Sequence, residues 1–375
     1  MPVSYDTIVI GAGIAGVATA YFLHRKGQKV LVLDKRGIAG GGSGAAGAFV
    51  SPKIGKGSPL QKLTNEAFTF SRKFYTEYFP DHYHQTGVIR IPKEEVDAAK
   101  FTDYEVFNTN KYEKYAPDTL LKKGIRTSYE SFYFEEAGVC DAPELCEVMM
   151  KGIDFVEHEV SSLTYLAEDA VWRADNYLAK NVVLATGFES NLIDIRYMGV
   201  RATWGTRGDF ATKLPLEVSM HQSMSVSANL DGVIKLGATH EKSIETPMEC
   251  EEVQALSLRD KASGLVDVSD FELIATFCGM RAGSRDYFPL LGRVVDSRYM
   301  LENYPAITRG AKVPLRHYKN FFVCNGLGGR GFVFGPMMGK MLAEYIVEEI
   351  PIDPRVDADR LFLRWCRRSG KALLK

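Results

Sequence analysis

The chain has 375 residues, of which 46% are hydrophobic and 25% charged; this excludes a disordered or fibrous chain and suggests two domains at roughly 100–200 residues each. Its 46 Lys+Arg against 47 Asp+Glu leave a formal net charge of -1. Nucleic acid is therefore not held through bulk charge, and any such contact has to come from a local basic patch.

Asp6–Ile10 (DTIVI) is a short β-branched run predicted to be a fully buried strand, and Gly11–Gly16 follows as GAGIAG. Val17–Lys26 carries Val17, Ala20, Tyr21 and Leu23 at helical spacing, with Gly27 as a stop, and Lys29–Leu33 is a second buried strand ending at Asp34. Strand, glycine turn, helix and strand within about 30 residues make a dinucleotide-binding unit. Gly37–Gly47 is a second glycine-rich loop, Leu60–Tyr78 reads as a long amphipathic helix, and Val88–Ile91 as a strand. Residues 93–135 are polar, tyrosine-rich and without assignable pattern. Ala142–Met150, opened by Asp141 and Pro143, reads as a capped helix. A strand meander from Ile153 closes in NVVLATG (Asn181–Gly187), residues 195–280 alternate like antiparallel strands, and the chain ends with a strand at Asn320–Cys324, a glycine turn at Asn325–Gly331 and a helix at Pro336–Glu349.

The expected architecture is mixed α/β. A Rossmann-like domain is assembled from 1–50, 140–195 and 281–375, and a substrate domain on an antiparallel sheet is inserted as 51–139 and 196–280. The six cysteines (Cys140, Cys146, Cys250, Cys278, Cys324, Cys366) show no CxxC pair and no metal-ligand spacing; unpaired thiols in a reducing compartment and no metal are expected. Only Met1–Tyr5 precedes the first predicted strand, and no apolar run approaches the ~20 residues that span a bilayer. A soluble, cytoplasmic protein is expected.

In the first turn Gly11 allows the tight bend, Gly13 lets backbone approach a pyrophosphate, and Gly16 permits close helix–strand packing; Asp34 is placed to accept ribose hydroxyls, which disfavours NADP. The unit breaks off after its second strand, adds a second glycine loop, and returns twice more through backbone-rich turns. Three such segments suit a long cofactor with an aromatic ring system, which is FAD.

These residues resemble the D-amino-acid oxidase/glycine oxidase family of FAD-dependent oxidoreductases over nearly the whole chain. The resemblance lies in GAGIAG with Asp34, SGAAG (Ser43–Gly47), LATG (Leu184–Gly187), LGATHE (Leu236–Glu241), GMRAGSRDYFPLLG (Gly279–Gly292) and NGLGGRGF (Asn325–Phe332). Ser51–Tyr75 is further similar to the oxidase domain of bacterial bifunctional enzymes that mature 5-methylaminomethyl-2-thiouridine in tRNA, although Ala45 stands where that subfamily usually has Asn. The resemblance implies non-covalent FAD, with Cys278 a core thiol. It implies cofactor contacts from Gly11, Gly13, Ile14, Ala15, Gly16, Asp34, Lys35, Ser43, Gly44, Ala45, Gly47, Val156, Ala185, Thr186, Gly187, Gly326, Gly328, Gly329, Arg330, Gly331 and Phe332. Arg281 matches the carboxylate-binding arginine of the family, and Arg330 matches an arginine of the tRNA-modifying relatives, which implies a place by the flavin or the substrate mouth, the alternative being an interdomain salt bridge.

The implied chemistry is oxidation of a C–N bond next to a carboxylate. The first reading is conversion of carboxymethylaminomethyl-uridine to aminomethyl-uridine at the tRNA wobble position, releasing glyoxylate, with a separate methyltransferase as a further partner. The alternative is oxidation of a free small amino acid such as glycine, sarcosine or a D-amino acid. Arg355, Arg360, Arg364, Arg367, Arg368, Lys371 and Lys375 with Lys53, Lys56 and Lys62 would form the basic patch that tRNA needs, or a solvated helix face. Tyr83, Trp204 and Tyr287 are candidate walls of a substrate pocket.

Overall fold

The computed structural model describes residues 4–373 other than Ser190 and Ser243. The strand Ser4–Ile10 lies inside an eight-stranded sheet. It pairs in parallel with Val30–Asp34 on one side and with Tyr177–Leu184 on the other, and these pair in parallel with Asp154–Glu157 and His317–Asn325. Parallel strands covered on both faces read as unbroken apolar runs. Accordingly Ile8, Val9, Leu31, Val32, Val182, Val183, Phe321 and Val323 are wholly buried. Antiparallel strands Leu163–Leu166, Val171–Ala174 and Leu290–Val295 widen the sheet. The parallel strands come from the start, middle and end of the chain, and their carboxyl ends open on one crevice, where ligands of such sheets bind.

Two helices cover one face of this sheet, Ile14–Arg25 and Gly331–Glu348. They cross almost backbone to backbone, since a Cβ on Gly339 would lie 2.6 Å from the Ala18 carbonyl carbon. The second helix starts at Gly331, five residues before the expected Pro336, which therefore sits inside it. A proline there leaves the carbonyl of Phe332 without its helical donor. The hydroxyl of Tyr75 donates to that oxygen at 2.9 Å, and Ser71 Oγ donates to the Val333 carbonyl at 2.8 Å. Both donors sit on the helix Pro59–Tyr78, which Ser58 caps by accepting from the Gln61 N–H and which buries Leu63, Ala67, Phe68 and Phe74. This packing is what admits the proline.

A second eight-stranded sheet runs in the order Glu272–Gly283, Arg201–Ala211, Val233–Gly237, Ser225–Val226, Ser219–His221, Val88–Arg90, Ser131–Phe134, Glu113–Tyr115. The unassigned 93–135 stretch supplies its far edge and the helices Glu95–Tyr104 and Pro117–Lys122. An edge strand of three residues with an exposed face carries too little alternation to be read from sequence.

Two local expectations fail. Asp141 does not cap the helix Ala142–Met149; its carboxylate instead accepts from His84 at 2.6 Å and from Lys235 Nζ at 3.3 Å, joining a small third sheet to the second one. Cys278 is not a free thiol, because it forms a disulfide with Cys250, 28 residues away, while Cys140, Cys146, Cys324 and Cys366 are free and buried. Sequence separation carries no information on whether two Cα atoms come within bridging reach. Among the described residues no helix is long and apolar enough to cross a membrane.

Replacing Gly339 by Ala forces apart the two helices that cover the crevice. The expected loss is about 1–3 kcal/mol of stability in thermal or urea unfolding, and an unchanged midpoint would contradict the close crossing.

Candidate active site

The crevice holds a cavity of about 480 Å³, within the range of cofactor and ligand sites. Its floor is the first glycine turn. Gly11 has φ +110°, and a Cβ there would lie 2.3 Å from the Ala185 oxygen; a Cβ on Gly16 would meet the Gly11 oxygen. The backbone of three elements therefore meets with no side chain between, and the N-terminus of Ile14–Arg25 faces the cavity. Gly11, Gly13, Ile14, Ala15, Ala185, Thr186 and Gly187 line it, whereas Gly16 serves the packing beneath. Free N–H groups at a helix start suit a pyrophosphate. Ser43, from the second glycine loop, already accepts from the Ile14 N–H at 2.9 Å.

Asp34 stands at the cavity edge. Its carboxylate accepts from the backbone N–H of Ala12 at 2.7 Å and of Arg36 at 2.8 Å, which fixes it at the end of its strand with lone pairs left for a ribose. A smaller cavity of about 110 Å³ continues past it, lined by Lys35, His158, Glu159 and Val160. Lys35 is paired with Glu159 and Glu189. Val156 lies outside both cavities, its side chain packed on the apolar cluster beneath the sheet.

The second glycine loop supplies Ser43, Ala45 and Gly47 to the wall. It rests on the second sheet through Gly42, where a Cβ would lie 2.6 Å from the Met280 oxygen. Arg207, which the sequence analysis did not single out, locks this contact. It is buried, ion-paired with Asp209 at 2.8 Å, and donates from Nη1 to the carbonyls of Gly44 and Ala46, with its guanidinium 4.0 Å above the Phe277 ring. In sequence it is one charge in an alternating strand, and nothing local distinguishes it.

The last turn closes the cavity. Asn325 donates to the Gly187 carbonyl at 2.7 Å and accepts from the Gly326 N–H, so the middle and end returns of the chain are tied to each other. Gly328, Gly329, Gly331 and Phe332 line the cavity; Gly326 and Gly44 lie behind the lining, and the Arg330 side chain turns away to donate to the Ser51 carbonyl at 3.3 Å.

Arg281, on the strand Glu272–Gly283, reaches into the same cavity and donates from Nη1 to the Thr239 carbonyl at 3.1 Å. No ion pair holds it among the described residues, and burial pulls its pKa below the ordinary value. Gly205 on the neighbouring strand makes its room, since a Cβ there would lie 2.2 Å from Nη2. His240 also lines the cavity, its pKa lowered by burial and then by Arg281. Of the candidate aromatic walls, Trp204 lines the cavity, Tyr83 is buried and donates to the Glu136 carbonyl, and Tyr287 is exposed.

The expected basic patch does not form as one surface. Arg355 pairs with Asp353 and Glu66, Arg360 with Asp286, and Lys56 with Asp103, while Lys53 faces inward. Lys62 is exposed on a different helix, the side chain of Lys371 is not described, and Lys375 lies outside the described residues. A smaller group remains, in which exposed Arg364 and Arg368 adjoin Arg285.

The family model described as FAD dependent oxidoreductase matches residues 6–345. The chain is 24% identical over 388 residues to the tRNA 5-methylaminomethyl-2-thiouridine biosynthesis bifunctional protein MnmC of Legionella pneumophila (strain Philadelphia 1), covering 94% of this chain and 56% of that protein. It is 26% identical over 385 residues to the protein of the same name from Dichelobacter nodosus, covering 93% and 56%. The chain spans about half the length of the curated relatives it matches. Among solved structures, glycine oxidase from Geobacillus kaustophilus aligns with a TM-score of 0.78 at 18% identity, over 93% of this chain and 96% of that one. Iminodiacetate oxidase from Chelativorans sp. BNC1 aligns with a TM-score of 0.76 at 18% identity, over 93% and 98%. At such identity the likeness is one of fold.

Asp34→Ala removes a charged acceptor from the Ala12 N–H and from the cavity edge. FAD should bind about 10–100-fold more weakly, and protein purified with full flavin content would contradict this role. Arg207→Ala leaves Asp209 buried without its partner and frees the glycine loop; the expected cost is about 3–5 kcal/mol in urea unfolding.

Proposed function

Since the chain belongs to the FAD-dependent oxidoreductase family and is an enzyme that uses FAD, we propose that it oxidises the C–N bond of an N-substituted glycine carried on tRNA, turning carboxymethylaminomethyl-uridine into aminomethyl-uridine at the wobble position. The observation that carries this reading is Arg281: a guanidinium without a carboxylate partner among the described residues, lining the cavity that the three glycine turns enclose.

FAD, when bound, supplies the acceptor for a hydride from the carbon between nitrogen and carboxylate. The protein's part is position and charge. Arg281 takes both oxygens of the substrate carboxylate in its planar fork, which orients the α-carbon toward the ring system. Trp204 and the Thr239–His240 backbone close that side against water. His240, its pKa lowered by burial and by Arg281, adds no second cation against the positive charge that develops on nitrogen as the hydride leaves. Loss of the hydride and of the N–H proton leaves an imine, which water cleaves to glyoxylate and the primary amine. That amine is the group a subsequent methyl transfer would use.

The tRNA half of the reading is supported by the names of the sequence relatives and by the exposed Arg285, Arg364 and Arg368, of which Arg368 lies in the field of the other two and none is ion-paired among the described residues. A cytoplasmic location belongs to the same reading.

Arg281→Ala should raise KM and lower kcat/KM by about 30-fold or more in anaerobic flavin reduction; unchanged kinetics would remove it from the site. Affinity for modified tRNA should fall with salt at a log–log slope of about −2 or steeper if the three arginines each neutralise a phosphate. A flat salt response, with glycine or sarcosine turned over as well as the tRNA, would instead favour a free amino acid. Mass analysis of wobble nucleosides in cells lacking the protein should show the carboxymethylaminomethyl form accumulating.

A further inference from the structure

Apart from Arg281 at the cavity, the enclosed arginines Arg207, Arg72 and Arg360 are matched with the carboxylates of Asp209, Glu136 and Asp286. Lys53, Arg90 and Arg330 are not. Among the described residues none of the three has an ion-pair partner, and each lies in the field of another: Arg330 acts on both Arg90 and Lys53, and Arg90 acts on Lys53. Asp97, the carboxylate that acts on Arg90, forms no pair with it and is engaged by the Lys93 N–H and by Lys100. Arg90 and Arg330 are surrounded by protein, and burial pulls them down to about 9 and about 10, yet both keep accessible surface. Each is thus largely enclosed by protein while part of its surface stays accessible.

The three cations do not line the active-site cavity themselves but stand next to residues that do. Arg90 is the register partner of His221, and His221 lines the cavity together with Arg281. Arg330 follows Gly329, where a Cβ would lie 4.0 Å from Arg281 Cδ, and the Ser51 carbonyl that Arg330 holds is two residues from Lys53. Three like charges near one another and out of bulk water repel and lose solvation, and among the described residues no carboxylate forms an ion pair with any of them. The pyrophosphate of the dinucleotide has its own place at the start of Ile14–Arg25, and one substrate carboxylate is accounted for by Arg281.

We propose that Lys53, Arg90 and Arg330 form a second anion site, which takes an oxyanion on the other arm of the substrate, beyond the nitrogen that is oxidised. This rests on the reading above for the amine itself. The enzyme then measures its substrate at both ends, a carboxylate at Arg281 and a phosphate ester or second carboxylate at the cluster. The phosphodiester of a nucleotide and the carboxylate of a free diacid share this chemistry.

The test uses the FAD-loaded protein. Inorganic phosphate binding is measured by equilibrium dialysis, and anaerobic flavin reduction is measured with sarcosine, iminodiacetate and N-(2-phosphonooxyethyl)glycine. The wild type should bind phosphate, and kcat/KM should be at least about tenfold higher for a two-anion amine than for sarcosine. The phosphate arm winning points to a nucleotide, the carboxylate arm to a free diacid. Arg90→Gln and Lys53→Gln should each weaken phosphate binding about tenfold or more and shrink the two-anion preference, with Arg90→Lys restoring part of both should the glutamine variant fail to fold. Phosphate binding and preference unchanged in both variants would overturn the site, as would a change confined to flavin content or visible spectrum, which would give the cluster to the cofactor. If no amine reduces the flavin while the variants still lose phosphate, the proposed reaction falls and the anion site stands.

Discussion

The meeting of three backbones at Gly11, Gly16 and Ala185 sets the rest of the molecule. The distances leave no room for a Cβ at either glycine, so the first helix starts directly over the carboxyl ends of two parallel strands. Its first turn then faces the cavity, with the Ile14 N–H held by Ser43 Oγ. From this follow the backbone floor of the cavity and the need for the chain to return twice to complete its wall. Asn325, bonded to the Gly187 carbonyl and to the Gly326 N–H, ties those two returns to each other at their tips.

The reacting end is built by a different device, the docking of the second sheet on the glycine loop. Gly42 touches the strand that carries Arg281, and Arg207 clamps the carbonyls of Gly44 and Ala46 from the adjacent strand. Arg281 is thereby referenced to the glycine loop through two contacts a few residues long. Charge is distributed unevenly: Arg207 and Arg355 are paired with carboxylates, whereas Arg281 and Arg330, around the cleft, donate to backbone carbonyls and have no ion-pair partner among the described residues.

Much of this was legible in the residues. The parallel strands were readable because burial on both faces leaves continuous apolar runs, and the glycine turns because strand, turn, helix and acidic residue follow one another locally. The 93–135 stretch was not, since its three-residue edge strand and short helices are half exposed. The helix at Gly331 was misplaced because a proline normally marks a helix start; only the distant Tyr75 hydroxyl explains its place inside. Asp141 was read as a cap from its neighbour Pro143, whereas His84 and Lys235 claim its carboxylate.

By itself the sequence determined the cofactor-binding unit and its order, because those features lie within a turn or two along the chain and depend on backbone freedom and hydrophobic period. The tertiary structure alone decided which charges remain unpaired, which cysteines join, and that Arg207 is a clamp and Arg90 part of a cationic cluster. These outcomes depend on distances between residues far apart in the chain, and a Coulomb term or a disulfide is set by separation in space.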